Sequence, residues 1–513
     1  MINHSGNIAP DGRKIPAIMA TQHPDNAGKV KLFDNEFVTT ADELEECYSM
    51  FAELKADEYM WDWEGKFVDE AVIEKLFRQY PDFFQKYPLG RDFFLTFRIP
   101  NADEEKTARL ARAYLSLLTS DDFAKSSGFA SPPVFEMILP MTTNTEQLLK
   151  IRRTFRQVAE FERKVFAHEM GDLSDINIIP LFETTEIIIN SWKILEEYVD
   201  ACEKEFGKKP TYMRPFIARS DPAMNAGLVP AECAMRAGIS NYYYKFKAKT
   251  GIEVYPIIGT GSLPFRGGLN PAFLKERLRD LKGIRTVTTQ SAFRYDYDAD
   301  EVKKAYEILK NELPKSEPLH LSDEEINDVL DIDQVFGKFY RATVESIAPL
   351  INKVANDVPS RRERIQHIGL FGYSRGIGEV KLPRAIKFTG ALYSIGLPPE
   401  FIGTGRGLKA MKEAGKLELI DKLYINLRAD LLHAGKYFNP ENLDMLIEEY
   451  PSLKDYKEDI RLIEEILEIP IGPVEPHHYI HRNLSSSAYW TMKQGNDLSD
   501  VITRSGLMRK SLG

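Results

Sequence analysis

Two carboxylates in this sequence close apolar runs in a way that suits metal binding. Glu183 follows Pro180-Leu181-Phe182, and Asp221 follows Phe216-Ile217-Ala218-Arg219-Ser220. At the ends of neighbouring strands the two would reach one divalent cation. Oxygen ligands without a Cys or His partner favour Mg²⁺ or Mn²⁺, and Mg²⁺ commonly takes one or two carboxylates plus substrate oxygens. Either carboxylate alone could equally cap the helix after its strand; their occurrence on consecutive runs is what points to a metal. Arginines carry a second chemistry, anion binding. Arg266 sits in Gly259-Thr260-Gly261-Ser262-Leu263-Pro264-Phe265-Arg266-Gly267-Gly268. Small residues there, among them Gly261, Ser262 and Gly267, let backbone N–H groups approach an anion, and the guanidinium adds a two-pronged donor. Arg98 ends the run Phe93–Phe97, Arg375 follows Tyr373-Ser374, and Arg384 follows Pro383. Guanidinium suits planar, oxygen-rich anions, so four such arginines suggest a polyanionic substrate, although any one of them could be a surface or salt-bridging residue. His23, in Thr21-Gln22-His23-Pro24-Asp25-Asn26, brings an imidazole that titrates near neutrality; a histidine beside proline in a turn is also often only a loop residue. Asp62, Glu64 and Lys66 alternate at another run end, and their roles stay open.

These groups become neighbours only if their segments do. The runs Asp57–Trp61, Phe93–Phe97, Val134–Leu139, Ile176–Phe182, Tyr212–Ala218, Val254–Ile258, Arg285–Thr289 and His367–Phe371 read as eight strands, most ending on charged or glycine-rich residues. Ile15–Ala20 reads as an apolar run before a turn. Between the strands, Lys106–Leu118, Thr145–His168 and Ser191–Lys204 carry apolar residues three and four apart, the helical period. Alternating strand and helix imply parallel βαβ units, and polar chemistry at the carboxyl ends of parallel strands is how a (β/α)8 barrel builds a site. Asp300–Leu313 and Asp323–Ala355 are long charged amphipathic stretches, the second opened by Ser322 with Glu325 as a capping box. They are expected to form a helical insertion, about 299–360, between the seventh and eighth strands. From Pro383 onward only helices are expected, broken at Pro398-Pro399, Pro440, Pro451 and Pro470, with a loop over Pro473–His478. The expected organisation is a single catalytic unit: an α/β, TIM-like barrel over 15–375 and a C-terminal helical layer over 376–513.

A chain of 513 residues has about twice the length a minimal barrel of roughly 250 residues needs. Its 43% hydrophobic and 28% charged residues are ordinary for a globular protein. A net charge of −10 argues against nucleic-acid or anionic-membrane partners, so an anionic substrate requires a local cationic cluster. Cys47, Cys202 and Cys233 lack metal-ligand spacing and suit buried thiols in a reducing cytoplasm. No run approaches ~18 apolar residues, so a soluble, cytoplasmic location is expected.

The motifs together resemble one family. Thr21-x-His23-Pro24-Asp25-Asn26, Leu181-Phe182-Glu183, Ala218-Arg219-Ser220-Asp221-x-Ala223-Met224, Gly261-Ser262-Leu263-Pro264-Phe265-Arg266-Gly267 and Pro383-Arg384-Ala385-Ile386-x-Phe388-Thr389-Gly390 are similar, in order from residue 16 onward, to the archaeal-type phosphoenolpyruvate carboxylase. The resemblance implies a barrel of the phosphoenolpyruvate/pyruvate type, Mg²⁺ or Mn²⁺, a homotetramer, and anaplerotic CO₂ fixation by a carboxy-lyase. Phosphoenolpyruvate and bicarbonate would give oxaloacetate and phosphate, through carboxyphosphate and the enolate of pyruvate. It implies Glu183 and Asp221 as metal ligands, His23 as the catalytic histidine, and Arg266, Arg375 and Arg384 facing phosphate or carboxyphosphate. Arg98 is a looser match as a substrate arginine. The tail Arg509-Lys510-Ser511-Leu512-Gly513, with Arg509 at the substrate, would reach the site and bring a carboxylate to an arginine there. The longer bacterial and plant enzymes carry Lys-Asp where this chain has Met224-Asn225, and His and Arg where it has Ile258 and Thr260; this suits the short archaeal pattern. The alternative is a Mg²⁺-dependent carbon–carbon lyase of the same barrel type, which would use Glu183, Asp221 and Arg266 but would not need the phosphoryl clamp of His23, Arg375 and Arg384.

Overall fold

In the computed structural model, eight short strands pair in parallel around a closed barrel. The structure describes residues 8–30, 32–33, 35, 37–64, 68–103, 108–166, 173–363, 376–377 and 380–513. The strands are β1 (Ile18–Thr21), β2 (Glu58–Asp62), β3 (Phe94–Arg98), β4 (Glu136–Leu139), β5 (Asn177–Phe182), β6 (Tyr212–Met213), β7 (Phe216–Ile217), β8 (Glu253–Val254), β9 (Ile257–Ile258) and β10 (Thr286–Thr289). Around the barrel the order is β1-β10-β9-β7-β5-β4-β3-β2, while β6 and β8 pair outside it as a small parallel sheet. Strands enclosed on both faces are almost wholly buried, which is why they read as continuous apolar runs rather than alternating ones.

The expected α/β barrel is present, with one strand assigned differently. Its first strand is β1, the short run before His23, and closure comes from Ile18 pairing with Val287 and Met19 with Glu58. The barrel therefore closes without His367–Phe371, which lies outside the described residues. The helices Ala299–Glu312 and Asp323–Ala355 follow the last barrel strand and are not an insertion before an eighth. The barrel strands themselves span 18–289, within the expected barrel bounds of 15–375. Ser322 and Glu325 do form the capping box of the Asp323–Ala355 helix. From Ala385 on, the chain is helical, with Pro399, Pro440 and Pro476 at first turns, where a missing N–H costs nothing. The loop expected over 473–478 accordingly ends early, since His477 and His478 belong to the Pro476–Lys493 helix.

Inside the barrel, Met19, Met60, Ile138, Ile179, Leu181, Phe216, Ala218 and Ile257 form one buried cluster. Below it, at the strand starts, Arg214 binds Glu58 at 2.7 Å and Glu136 at 2.6 Å, and Thr96 donates to the same Glu58. A buried arginine shared by two carboxylates plugs the amino-terminal mouth. The carboxyl-terminal mouth is left for the cavity. Cys47, Cys202 and Cys233 are buried free thiols. Among the described residues no helix is long and apolar enough to cross a membrane.

Candidate active site

The carboxyl ends of the strands surround a cavity of about 140 Å³ whose wall includes His23, Arg98, Glu183, Asp221, Arg266 and Arg384. Six residues singled out from sequence, spread over 362 positions, thus meet in one place. Register accounts for the two carboxylates. Phe182 pairs with Ile217, and the Ala218 N–H donates to the Phe182 carbonyl at 2.9 Å, so the residues just past β5 and β7 emerge side by side. Neither carboxylate is a helix cap. Thr184, after Glu183, takes that position by accepting from the Ile187 N–H, and Asp221 lies inside the first turn of the Ser220–Ala226 helix, whose cap is Arg219. Neither residue therefore occupies the N-cap position of the helix after its strand.

Arg98 and Asp62 are register partners at the ends of β3 and β2. Arg98 grips Asp62 with two prongs, at 2.9 and 2.6 Å, and lies 3.2 Å from Glu64. Burial alone would ease its proton off, but the Asp62 and Glu64 carboxylates outweigh this and hold it above its ordinary range. Glu64 also stands 4.0 Å from Arg384, the cap of the Ala385–Ser394 helix. The roles left open for Asp62 and Glu64 thus include holding these arginines; Lys66 and Gly65 lie outside the described residues, as does Arg375.

Arg266 is 2% exposed and makes bonds in four directions. Its Nε donates to Ser220 Oγ at 3.2 Å, Nη1 to Asp25 at 3.2 Å and to the Gly513 oxygen at 2.5 Å, and Nη2 to Gln290 Oε1 at 2.5 Å. Sequence reasoning left Asp25, Ser220 and Gln290 without roles; each lies in a motif or at a strand end already noted, which was the available signal. The glycine loop works differently from expectation. The Gly261 N–H donates to the Arg266 carbonyl at 2.7 Å and the Gly267 N–H to that of Pro264 at 2.9 Å, so neither is aimed at an anion. Ser262 is buried, and none of the three is on the cavity wall. Gly261 is required for clearance, because a Cβ there would lie 2.9 Å from the Arg266 guanidinium carbon.

His23 lies two residues past β1, with Nδ1 2.9 Å from the buried Thr21 hydroxyl, a contact that sets the plane of the ring. The tail folds back as expected. The Leu512 N–H donates to the Asp25 carbonyl at 2.7 Å, and Gly513 meets Arg266. Arg509 is not on the cavity wall: it donates to Ser505 Oγ and to the Leu512 carbonyl, at 2.9 and 2.7 Å, and so holds the tail rather than touching the cavity.

Comparison with known proteins gives this geometry a family. The family model described as phosphoenolpyruvate carboxylase matches residues 15–513. The chain belongs to the phosphoenolpyruvate carboxylase family. Proteins named phosphoenolpyruvate carboxylase from Oenococcus oeni, Metallosphaera sedula and Pyrococcus horikoshii are 38%, 37% and 38% identical to it. These cover 97%, 98% and 87% of this chain and 97%, 100% and 94% of the relatives. The resemblance in the motifs is therefore borne out along the whole length, and the enzyme is a phosphoenolpyruvate carboxylase rather than a carbon–carbon lyase of the same barrel type. A solved malate synthase from Haloferax volcanii aligns over 86% of this chain and 98% of its own with 10% identity and a TM-score of 0.38; the barrel assignment rests instead on the strand pairing.

Proposed function

We propose that this phosphoenolpyruvate carboxylase works through the cavity at the carboxyl end of the barrel, with Glu183 and Asp221 holding a divalent metal, Mg²⁺ or Mn²⁺. The donor set supports this. Two carboxylates emerge from adjacent strands onto one cavity wall, and a hard cation usually takes that number from protein before substrate and water complete its shell. When bound, the cation supplies Lewis-acid stabilisation of negative charge developing on a substrate oxygen.

The chain's own residues account for the rest. Bicarbonate attacks the phosphorus of phosphoenolpyruvate, giving carboxyphosphate and the enolate of pyruvate. Arg98, Arg266 and Arg384 surround the transferring phosphoryl group with fixed positive charge, which lowers the barrier because the dipoles and charges need not reorganise. Arg375 belongs to the same set by family resemblance. His23 takes the carboxyphosphate proton as CO₂ and phosphate separate. In the tautomer whose Nδ1–H donates to the Thr21 hydroxyl, Nε2 is the basic atom that faces this task. The enolate then attacks CO₂. Met60, Leu181, Phe216 and Met224 on the wall keep water from protonating the enolate, which would waste it as pyruvate. A cytoplasmic homotetramer completes the reading. Exposed Tyr479, Ile480 and Trp490 on the Pro476–Lys493 helix support association, since large apolar side chains left in water commonly mark contact surfaces.

The convergence of Glu183 and Asp221 on one cavity with three arginines and His23 carries this proposal. The test is oxaloacetate formation with and without bicarbonate and EDTA, in wild type, Glu183→Gln and Asp221→Asn. Loss of activity in EDTA, and in each variant, is expected, at about tenfold for each ~1.4 kcal/mol of lost transition-state stabilisation. Turnover near wild type in either variant at saturating metal would remove these residues from the metal site.

A further inference from the structure

Behind the turn that carries Asp221 lies a buried cluster of charge that the chemistry above does not use. Along β7 the side chains alternate: Phe216 and Ala218 join the barrel interior, whereas Ile217 joins the outer core. Arg219 follows the same alternation outward. Its Nη2 lies 2.9 Å from Glu232 Oε2, and both side chains are fully buried. Glu232 belongs to the Leu228–Asn241 helix, every residue of which is buried. The same Glu232 oxygen accepts from Arg277 at 2.9 Å, and Arg277 continues to Asp430 at 3.0 Å. Arg236 closes the cluster through Asp280 at 2.9 Å, and Asp280 in turn lies 3.4 Å from Arg277. Three cations and three carboxylates thus meet, all buried except the partly exposed Asp430. Burial pushes the Glu232 carboxyl up, and Arg277, Arg219 and Arg236 more than reverse this, so it stays ionised.

Arg219 is the member of this cluster that also lies on the cavity wall. The next residue, Ser220, accepts from Arg266 Nε, and the one after is Asp221. We infer that Arg219 is a positioning residue: ion-paired with Glu232, it fixes the turn that presents Ser220 to Arg266 and Asp221 to the metal. The inference rests on the proposed metal site. It predicts that metal affinity depends on a pair that never touches the metal, and outer-shell partners of ligands commonly cost about 10–100-fold in affinity when altered.

The test is Mn²⁺ binding to the resting full-length enzyme, read from the electron paramagnetic resonance signal of free Mn²⁺, with thermal unfolding measured in parallel. Arg219→Lys keeps the charge but replaces the buried guanidinium that reaches Glu232, and Glu232→Asp withdraws the carboxylate from Arg219. Each is expected to weaken Mn²⁺ binding about tenfold or more. Arg236→Lys disturbs the same cluster from its far side and should bind Mn²⁺ within about twofold of wild type, even where it unfolds at a similarly lowered temperature. Wild-type affinity in whichever of Arg219→Lys and Glu232→Asp folds, or equal weakening in Arg236→Lys, would overturn the positioning role. Asp221→Asn separates the two readings. Unchanged binding there retires the metal site itself, whereas lost binding there with unchanged binding in Arg219→Lys retires only Arg219.

Discussion

Gly390→Ala should cripple the enzyme while leaving it folded. Gly390 lies in the Ala385–Ser394 helix, and a Cβ there would stand 2.6 Å from the Leu512 carbonyl oxygen. Carbon and oxygen approach comfortably only to roughly 3.3 Å, so the tail must retreat by about 0.7 Å or more. The obstacle is backbone, not the free end of a side chain. Gly513 is equally confined, since its own Cβ would meet the Ile386 carbonyl at 2.0 Å, so the tail cannot slide deeper along the helix. Retreat stretches the bonds that hold it: Arg509 to the Leu512 carbonyl at 2.7 Å, the Leu512 N–H to Asp25 at 2.7 Å, and Arg266 to Gly513 at 2.5 Å. The last matters for chemistry, because Arg266 loses one of the partners that fix its plane. A hydrogen bond to a charged group contributes about 1.5–3 kcal/mol net. Expressed in the transition state, that is roughly a 10–150-fold fall in kcat/KM. Alanine is better than glycine in a helix by about 1 kcal/mol, which offsets part of the loss in the tail's bonds, so thermal stability should fall far less than activity. The assay is oxaloacetate formation coupled to NADH oxidation, with unfolding followed by circular dichroism. Activity within about twofold of wild type would refute the claim that the tail fixes Arg266.

His23→Asn should divide the reaction, with phosphoenolpyruvate still consumed but pyruvate replacing oxaloacetate as product; an unchanged product ratio at a normal rate would make His23 structural. Arg266→Lys and Arg384→Lys should each lose at least about tenfold in kcat/KM although charge is kept, because one ammonium cannot reproduce a planar fork; full activity in both would leave simple electrostatics sufficient. Glu400 is fully buried, accepts from the Tyr393 hydroxyl at 2.6 Å and from the Phe265 N–H at 2.8 Å, and burial raises its carboxyl to about 7 despite those bonds. The unfolded chain releases this proton first, so the stability it contributes is present below its ordinary value of 4.5 and is lost as pH climbs to about 7. Glu400→Gln removes that titration. Its stability relative to wild type should therefore improve between pH 4.5 and 7 by on the order of 3 kcal/mol at most, as read by urea unfolding; a pH-independent difference would count against it.

The parts of the barrel legible in the sequence were those written locally. Strand runs such as Phe93–Phe97 and Ile176–Phe182 lie within a residue of β3 and β5, because buried parallel strands concentrate apolar residues in short segments. What failed was closure. Whether Ile15–Ala20 is a strand depends on pairing Ile18 with Val287, a contact 269 positions distant that leaves no local pattern. Taking His367–Phe371 as the eighth strand then turned the later helices into an insertion. Two runs also held a signal that went unused. Pro215 and Pro256 stand at the breaks in Tyr212–Ala218 and Val254–Ile258, where a residue without an N–H weakens the ladder, although Pro180 is carried within β5 opposite Leu139. Each run accordingly breaks in two, and only β7 and β9 enter the barrel.

The site followed the same division between what a residue type can do and where its atoms point. Carboxylates, arginines and His23 at strand ends were found because the carboxyl mouth of a barrel collects them whatever their partners. The glycine loop was misread because glycine composition does not say which atom needs the space. At Gly261 the close neighbour is the Arg266 guanidinium, so the missing Cβ makes room for a side chain rather than opening an N–H to a ligand. Arg509 was misplaced for the converse reason. A cation four residues before Gly513 could have pointed to substrate or to the chain itself, and its bonds to Ser505 and Leu512 turn it inward. Charge near a site is thus readable from sequence, but commitment of that charge is not. Arg98, Arg266 and Arg509 differ in function less by type or spacing than by which oxygens already accept their N–H bonds.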